Sequence, residues 1–333
     1  MGEEEEDEER WNRKKQTTLI DEISDKMING DLTTKIQSAR EIRSMIRNRN
    51  SSSVKLRVKF AAAGVIQPLV QLLCSGHHDA REASLLALLN LASRNDRNKE
   101  QIVTCGALPP LVNLLRFQNA DDLRELATAA ILTLSAAPPN KPRIAASGAI
   151  PLLVQILSCG TVQGRVDAVT ALHNLSTSKE PPTIVPDAKA VPPLINLLKE
   201  CKKHSKFAEK TTALIEIIAK SQEGRTAITD AEDGILTLVE TIEDGSLVST
   251  EHAVGALLAL CMSSRSKYRE LILKEGAIPG LLRLTIDGTH EARVRAQTLL
   301  ELLRECSSEK RPSSLVLEDV VERSEKGLSE VML

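Results

Sequence analysis

Aromatic side chains are nearly missing: 333 residues hold three Phe, one Tyr and one Trp. Such a chain cannot build the stacking platform of single-strand nucleic-acid binders, and its pI of about 6.4 points the same way. No basic stripe is seen recurring in phase, so no nucleic-acid partner is expected. The six cysteines (Cys74, Cys105, Cys159, Cys201, Cys261 and Cys306) are scattered and form no CxxC pair. That is the usage of reduced cytosolic or nuclear thiols, which sets the expected compartment. No apolar run approaches the roughly 18 uninterrupted residues of a membrane span. Gly2 is followed by Glu6 where myristoylation wants Ser or Thr, which speaks against a lipid anchor.

Catalytic signatures are lacking too. The chain has no nucleophile elbow, Walker loop, dinucleotide fingerprint or HExxH, so neither an enzyme nor a cofactor is expected. Cys74, His77 and His78 cluster, but structural zinc needs four ligands and no second pair follows; the cluster reads as a loop. His173, alone on a helix with no nucleophile near it, reads as structural.

Apolar residues make up 42% of the chain, so the core must come from Leu, Ile, Val and Ala. Net charge is −2, yet seven consecutive acids run from Glu3 to Glu9. Removing those seven from the 45 acids leaves 38 against 43 Lys plus Arg, a remainder of about +5. The run repels itself, so residues 1–17 are expected as a disordered acidic tail, with an acidic docking arm as the other reading.

Self-similarity organises the rest. AAAGVIQPLVQLL, VTCGALPPLVNLL, AASGAIPLLVQIL, PDAKAVPPLINLL, AEDGILTLVETI and LKEGAIPGLLRL repeat in phase. Their glycine column reads Gly64, Gly106, Gly148, Lys189, Asp233 and Gly276, spaced by 42, 42, 41, 44 and 43 residues. A second block follows each first one and carries a small residue (Ala87, Ala130, Ala171, Ala213, Ala256, Thr298) and then aliphatic residues at helical spacing. Apolar positions at i, i+3 and i+4 describe helices, and the small column lets neighbours approach closely. Glycine ends one helix in the left-handed conformation, while Pro68, Pro109, Pro151, Pro192 and Pro279 suit the first turn of the next. Each unit therefore reads as short helix, sharp turn, middle helix, loop and long helix. Lys189 and Asp233 must turn by other means, and Pro181, Pro182 and Pro186 should shorten or abolish the first helix of the fourth unit.

This grammar resembles the armadillo repeat. Its wording, G-A-I-P-x-L-V-x-L-L followed by A-L-x-N-L-S, is similar to the armadillo region of plant U-box ubiquitin ligases. The resemblance implies an all-α fold, a right-handed solenoid of six to seven armadillo units over residues 18–306, with 307–333 as capping helix and tail. It implies a protein-binding scaffold whose third helices line a groove that holds an extended segment of a partner. An alternative is a regulatory or substrate-recognition component of ubiquitin signalling, since the stretch before the repeats leaves no room for a U-box. The family holds the peptide main chain with asparagines in one column of the third helix. Aligned on the small residue, that column reads Ser44, Asn90, Thr133, Asn174, Glu216, Ala259 and Glu301. Asn90, Thr133, Asn174, Glu216 and Glu301 are the candidate groove residues, with the two glutamates favouring a basic partner. Arg81, Arg124 and Arg165 are expected to make contacts between repeats.

Overall fold

The computed structural model describes residues 2–47, 51–116, 121–177 and 187–304, and among these it contains nineteen α-helices and two 3-10 turns. The chain opens on α1 (Gly2–Asn29) and α2 (Leu32–Ile46), a helix pair that lacks the first helix of a full unit. Six units follow. The first is α3 (Ser51–Ala62), α4 (Ile66–Leu72) and α5 (His78–Ala92); the second is α6 (Asp96–Thr104), α7 (Leu108–Arg116) and α8 (Asp121–Ser135). The third begins with a 3-10 turn at Pro138–Asn140, then α9 (Lys141–Ala146), α10 (Ala149–Cys159) and α11 (Val162–Ser176). In the fourth, a 3-10 turn at Ala188–Ala190 leads into α12 (Val191–Glu200) and α13 (Lys206–Ala219). The fifth is α14 (Gln222–Asp230), α15 (Gly234–Asp244) and α16 (Leu247–Ser263), and the sixth α17 (Arg265–Lys274), α18 (Ala277–Asp287) and α19 (His290–Leu303).

The long third helices α5, α8, α11, α13, α16 and α19 pack side by side in chain order, and the middle helices form a parallel stack behind them. One hydrophobic core runs from Ile20 to Leu303, so each unit buries its apolar face only against its neighbours. This is an α-solenoid.

Local chemistry places the joints. Gly64, Gly106, Gly148 and Gly276 take φ between 76° and 90° at the corner between first and middle helix. Asp233 does the same at φ 57°, so it makes the expected left-handed turn itself without an alternative geometry. Lys189 does find another route: Asp187 caps the 3-10 turn by accepting from the Lys189 N–H at 2.9 Å. The prolines expected to disrupt the fourth unit lie in 178–186, outside the described residues; within them, the three-residue turn is all that precedes α12.

Buried asparagines rivet successive units. Asn98 Nδ2 donates to Leu91 O at 2.9 Å, capping α5, and to Arg57 O at 3.3 Å in the unit before. Asn140 repeats the geometry on Leu134 O and Lys99 O, both at 3.1 Å. Each ties the last turn of one third helix, at Leu91 O or Leu134 O, to the first helix of the same unit, at Arg57 O or Lys99 O, so that a single buried amide joins two elements of one unit to the next.

One expectation changes at the start of the chain. Residues 2–17, read as a disordered tail, have helical backbone continuous with the packed half of α1 that carries Ile20, Ile23 and Met27. Glutamate is a good helix former, and carboxylates at a helix N-terminus face the positive end of its dipole. The expected capping helix at 307–333 lies outside the described residues.

Candidate partner-binding groove

Burial fixes the register of the third-helix ladder. Each long helix carries a buried residue or pair in its last turn: Leu91 and Ala92, Leu134 and Ser135, Leu175 and Ser176, Ile218 and Ala219, Leu260 and Cys261, and Leu303. The half-exposed position just before it holds Asn90, Thr133, Asn174, Ile217, Ala259 and Leu302. One residue earlier stand Leu89, Leu132, His173, Glu216, Leu258 and Glu301.

Two of the candidate residues are therefore out of line. Asn90, Thr133 and Asn174 share a row, but Glu216 and Glu301 belong to the row of His173, and the asparagine row continues as Ile217, Ala259 and Leu302. The cause is the ambiguous apolar wording of ALIEIIA and QTLLELL, where adjacent Ile or Leu residues fit either register until packing selects the inward one.

The amides are partly engaged. Asn90 Nδ2 donates to Leu86 O of its own helix at 2.7 Å, Thr133 Oγ1 to Ala129 O at 2.8 Å, and Asn174 Nδ2 to Ser135 Oγ at 3.2 Å across to α8. Among the described residues neither asparagine Oδ1 accepts a hydrogen bond, so each keeps a carbonyl oxygen for an incoming N–H. Leu86, Leu89, Ala129 and Leu132 stand half-exposed around them, so this half of the face is apolar apart from the amide row.

The other half is built from charge. Glu216 is no free acid: Oε2 lies 2.6 Å from His252 Nδ1 on α16, and Oε1 accepts from Arg295 Nη1 on α19 at 3.0 Å. Arg295 also donates to Glu251 O at 3.2 Å and, through Nε, to Glu291 at 2.8 Å. It reaches α13 by crossing α16 at Gly255, where a Cβ would fall 2.6 Å from both Nη1 of Arg295 and Oε1 of Glu216. Three units are thereby strapped together across the face. Glu301 is exposed.

Lys210, His252 and Arg295 occupy one row, eight residues before the buried helix end and spaced by 42 and 43 residues. A basic row does recur in phase after all. The spacing was visible in the sequence; its placement on this face required the helix register.

His173 is held below the ordinary imidazole range, first by burial and then by the positive charges of Lys210, His252 and Lys141. Its Nδ1 is buried and has no hydrogen-bond partner among the described residues. Asp167, buried earlier on α11, is pushed upward by desolvation against the lowering effect of a hydrogen bond from Gln163.

The expected inter-repeat arginines divide. Arg124 Nη2 reaches Cys159 Sγ at 3.5 Å and Arg165 pairs with Glu200 at 3.6 Å, both in the next middle helix. Arg81 instead closes the loop of its own unit on Ser75 O. Among the described residues, His, Cys, Asp and Glu nowhere gather three together as a metal would require. No single helix there is long and apolar enough to cross a membrane.

The Armadillo/beta-catenin-like repeat matches residues 55–93, 95–136 and 137–177, and the Plant U-box protein ARM repeat region matches 163–316. The chain belongs to the armadillo-repeat family. This armadillo chain is 39% identical over 282 residues to U-box domain-containing protein 17 of Arabidopsis thaliana, across 84% of its own length and 37% of that relative. It is 34% identical over 146 residues to U-box domain-containing protein 45 of the same plant, across 43% of its own length and 18% of that relative. It thus spans under two-fifths of the curated relatives it matches here. An engineered protein of known crystal structure shares the fold with a TM-score of 0.67 at 24% identity, over 85% of this chain and 68% of that one.

Proposed function

We propose that this armadillo chain acts by binding and not by catalysis, as a scaffold whose third-helix face forms a groove for an extended segment of a partner protein. The observation that carries this is the row Asn90, Thr133 and Asn174. Three polar side chains stand in register on adjacent helices among half-exposed aliphatics, and two of them keep a free carbonyl acceptor. An extended backbone presents N–H groups at regular intervals, so such a row can hold main chain while the leucines contact side chains. Affinity is spread over many contacts, and single substitutions weaken it moderately.

The test is affinity capture with the intact chain and with Asn90→Ala plus Asn174→Ala. Partners lost only from the double variant support the groove; an unchanged set moves binding to another surface. One alternative is the cleft of about 520 Å³ between the second and third units, lined by Pro109, Asn113, Arg116 and Arg143.

A second reading rests on the 39% identity to a U-box domain-containing protein. In it, the scaffold presents substrates or regulates components in ubiquitin signalling. Recovery of a ubiquitin-conjugating enzyme or a ligase in the same capture supports it, and partners unconnected with ubiquitin count against it.

A further inference from the structure

The two charged steps of the groove differ in one respect. Between α13 and α16 an acid faces a base, Glu216 against His252 at 2.6 Å, with Arg295 closing the other side of the carboxylate. One unit earlier, the same two positions hold His173 on α11 and Lys210 on α13. The place of the internal acid is taken by an imidazole, and a base faces a base. Lys210 Nζ has only the Thr170 hydroxyl at 3.4 Å, and among the described residues no carboxylate pairs with it. Lys141, at the start of α9, adds another positive charge close enough to disfavour protonation of His173. Asp167 does not neutralise the group: it bonds to Gln163, and its carboxyl is raised by desolvation.

Resting on the groove reading above, we infer that the step between α11 and α13 receives a carboxylate from an acidic stretch of the partner segment, with Lys210 as its counter-ion and His173 beside it. The arriving carboxylate completes here the pairing that Glu216 completes internally one unit later. A partly desolvated ammonium without an acid partner is costly and gains most from one supplied in trans. The neighbouring Asn90, Thr133 and Asn174 row would hold the main chain of the same segment, so the acid falls toward the end that passes Asn174. The choice of peptide over polynucleotide follows from the face itself: the residues that line it are aliphatic, amide and charged, with no aromatic platform for bases.

The experiment selects a displayed library of random 12-residue peptides on the full chain and measures the binders by fluorescence anisotropy. Asp and Glu should be enriched over Lys and Arg. Lys210→Glu should weaken the selected binders at least about tenfold, and Lys210→Arg should restore most of the loss. Far-ultraviolet circular dichroism checks that each variant is folded, and Lys210→Met, which removes the charge without inverting it, gives a second reading at the same site. Binders that respond to Asn90→Ala plus Asn174→Ala but carry no acidic bias, or ignore Lys210→Glu, overturn the charge assignment and leave the groove standing. Binders indifferent to both sets, or a library that yields none, overturn the groove and this assignment with it. Two further outcomes reassign the occupant and refute the inference: a 20-nucleotide oligodeoxythymidylate that displaces the peptides, or self-association abolished by Lys210→Glu, which would place the acidic run of a second copy in the groove.

Discussion

Gly255 lies in the middle of α16, where alanine would ordinarily be preferred by about 0.5–1 kcal/mol. Here the gain competes with a specific loss. A Cβ at this position would sit 2.6 Å from Arg295 Nη1 and from Glu216 Oε1, so the guanidinium must leave the carboxylate. The two side chains are 23% and 13% exposed, between a surface pair and a buried one. A charge-assisted hydrogen bond is worth about 1.5–3 kcal/mol when desolvated, and the residual exposure reduces this to about 1–2 kcal/mol. Gly255→Ala should therefore destabilise the protein by about 0.5–1 kcal/mol, against the helix-propensity trend. In an Arg295→Ala background that ion pair is already gone, and Glu216, held only at Oε2 by His252, can tilt its free Oε1 away from the added Cβ. The same substitution should then stabilise by about 0.5–1 kcal/mol. The double-mutant cycle thus carries a coupling of about 1–2 kcal/mol with a reversal of sign. Urea unfolding followed by circular dichroism measures the cycle, and hydrogen exchange in α19 reports the strap locally. Equal stabilisation by alanine in both backgrounds would refute the reasoning.

Three further outcomes follow from the fold. Asn140→Leu removes two buried hydrogen bonds that tie Leu134 O and Lys99 O to the third unit, so it should cost about 1–3 kcal/mol; loss of amide protection concentrated where the second and third units meet would check it. Gly148→Ala should cost about 1–2 kcal/mol through its positive φ alone, since no atom lies within 4 Å of the added Cβ. Asp233→Gly relaxes the same corner, and comparing the urea midpoints of the two variants tests the pair of signs. For His173 the folded-state pKa lies below the ordinary 6.5, so the unfolded chain takes the proton first as pH falls. Its contribution is present above pH 6.5 and is lost as pH drops through the folded-state value; His173→Gln should flatten the fall in urea midpoint between neutral and mildly acidic pH.

The repeat was legible from residues alone because its corners depend on local chemistry. Glycine, or an aspartate such as Asp233, readily takes the left-handed turn at these corners, and proline suits the first turn that follows, so column and period are written in the sequence. Helix identity followed from i, i+3, i+4 spacing, and Asn90, Thr133 and Asn174 share one half-exposed register where the neighbouring apolar residues are unambiguous. That the helix continues back to Gly2 was not legible, because the acidic run is compatible both with a solvated coil and with a helix N-terminus.

Tertiary packing decided the rest. Ile217 and Ile218, or Leu302 and Leu303, are interchangeable as letters, and only the neighbouring helix shows which one is buried. That single-residue choice moved Glu216 out of the asparagine row and into contact with His252. The pairing of Glu216 with Arg295 joins residues 79 positions apart through the missing side chain of Gly255, a contact that no periodicity encodes. Period and turns are local properties of the chain, whereas the pairing of charges on the groove depends on the rotational setting of each helix, which is fixed when its apolar side meets the next unit.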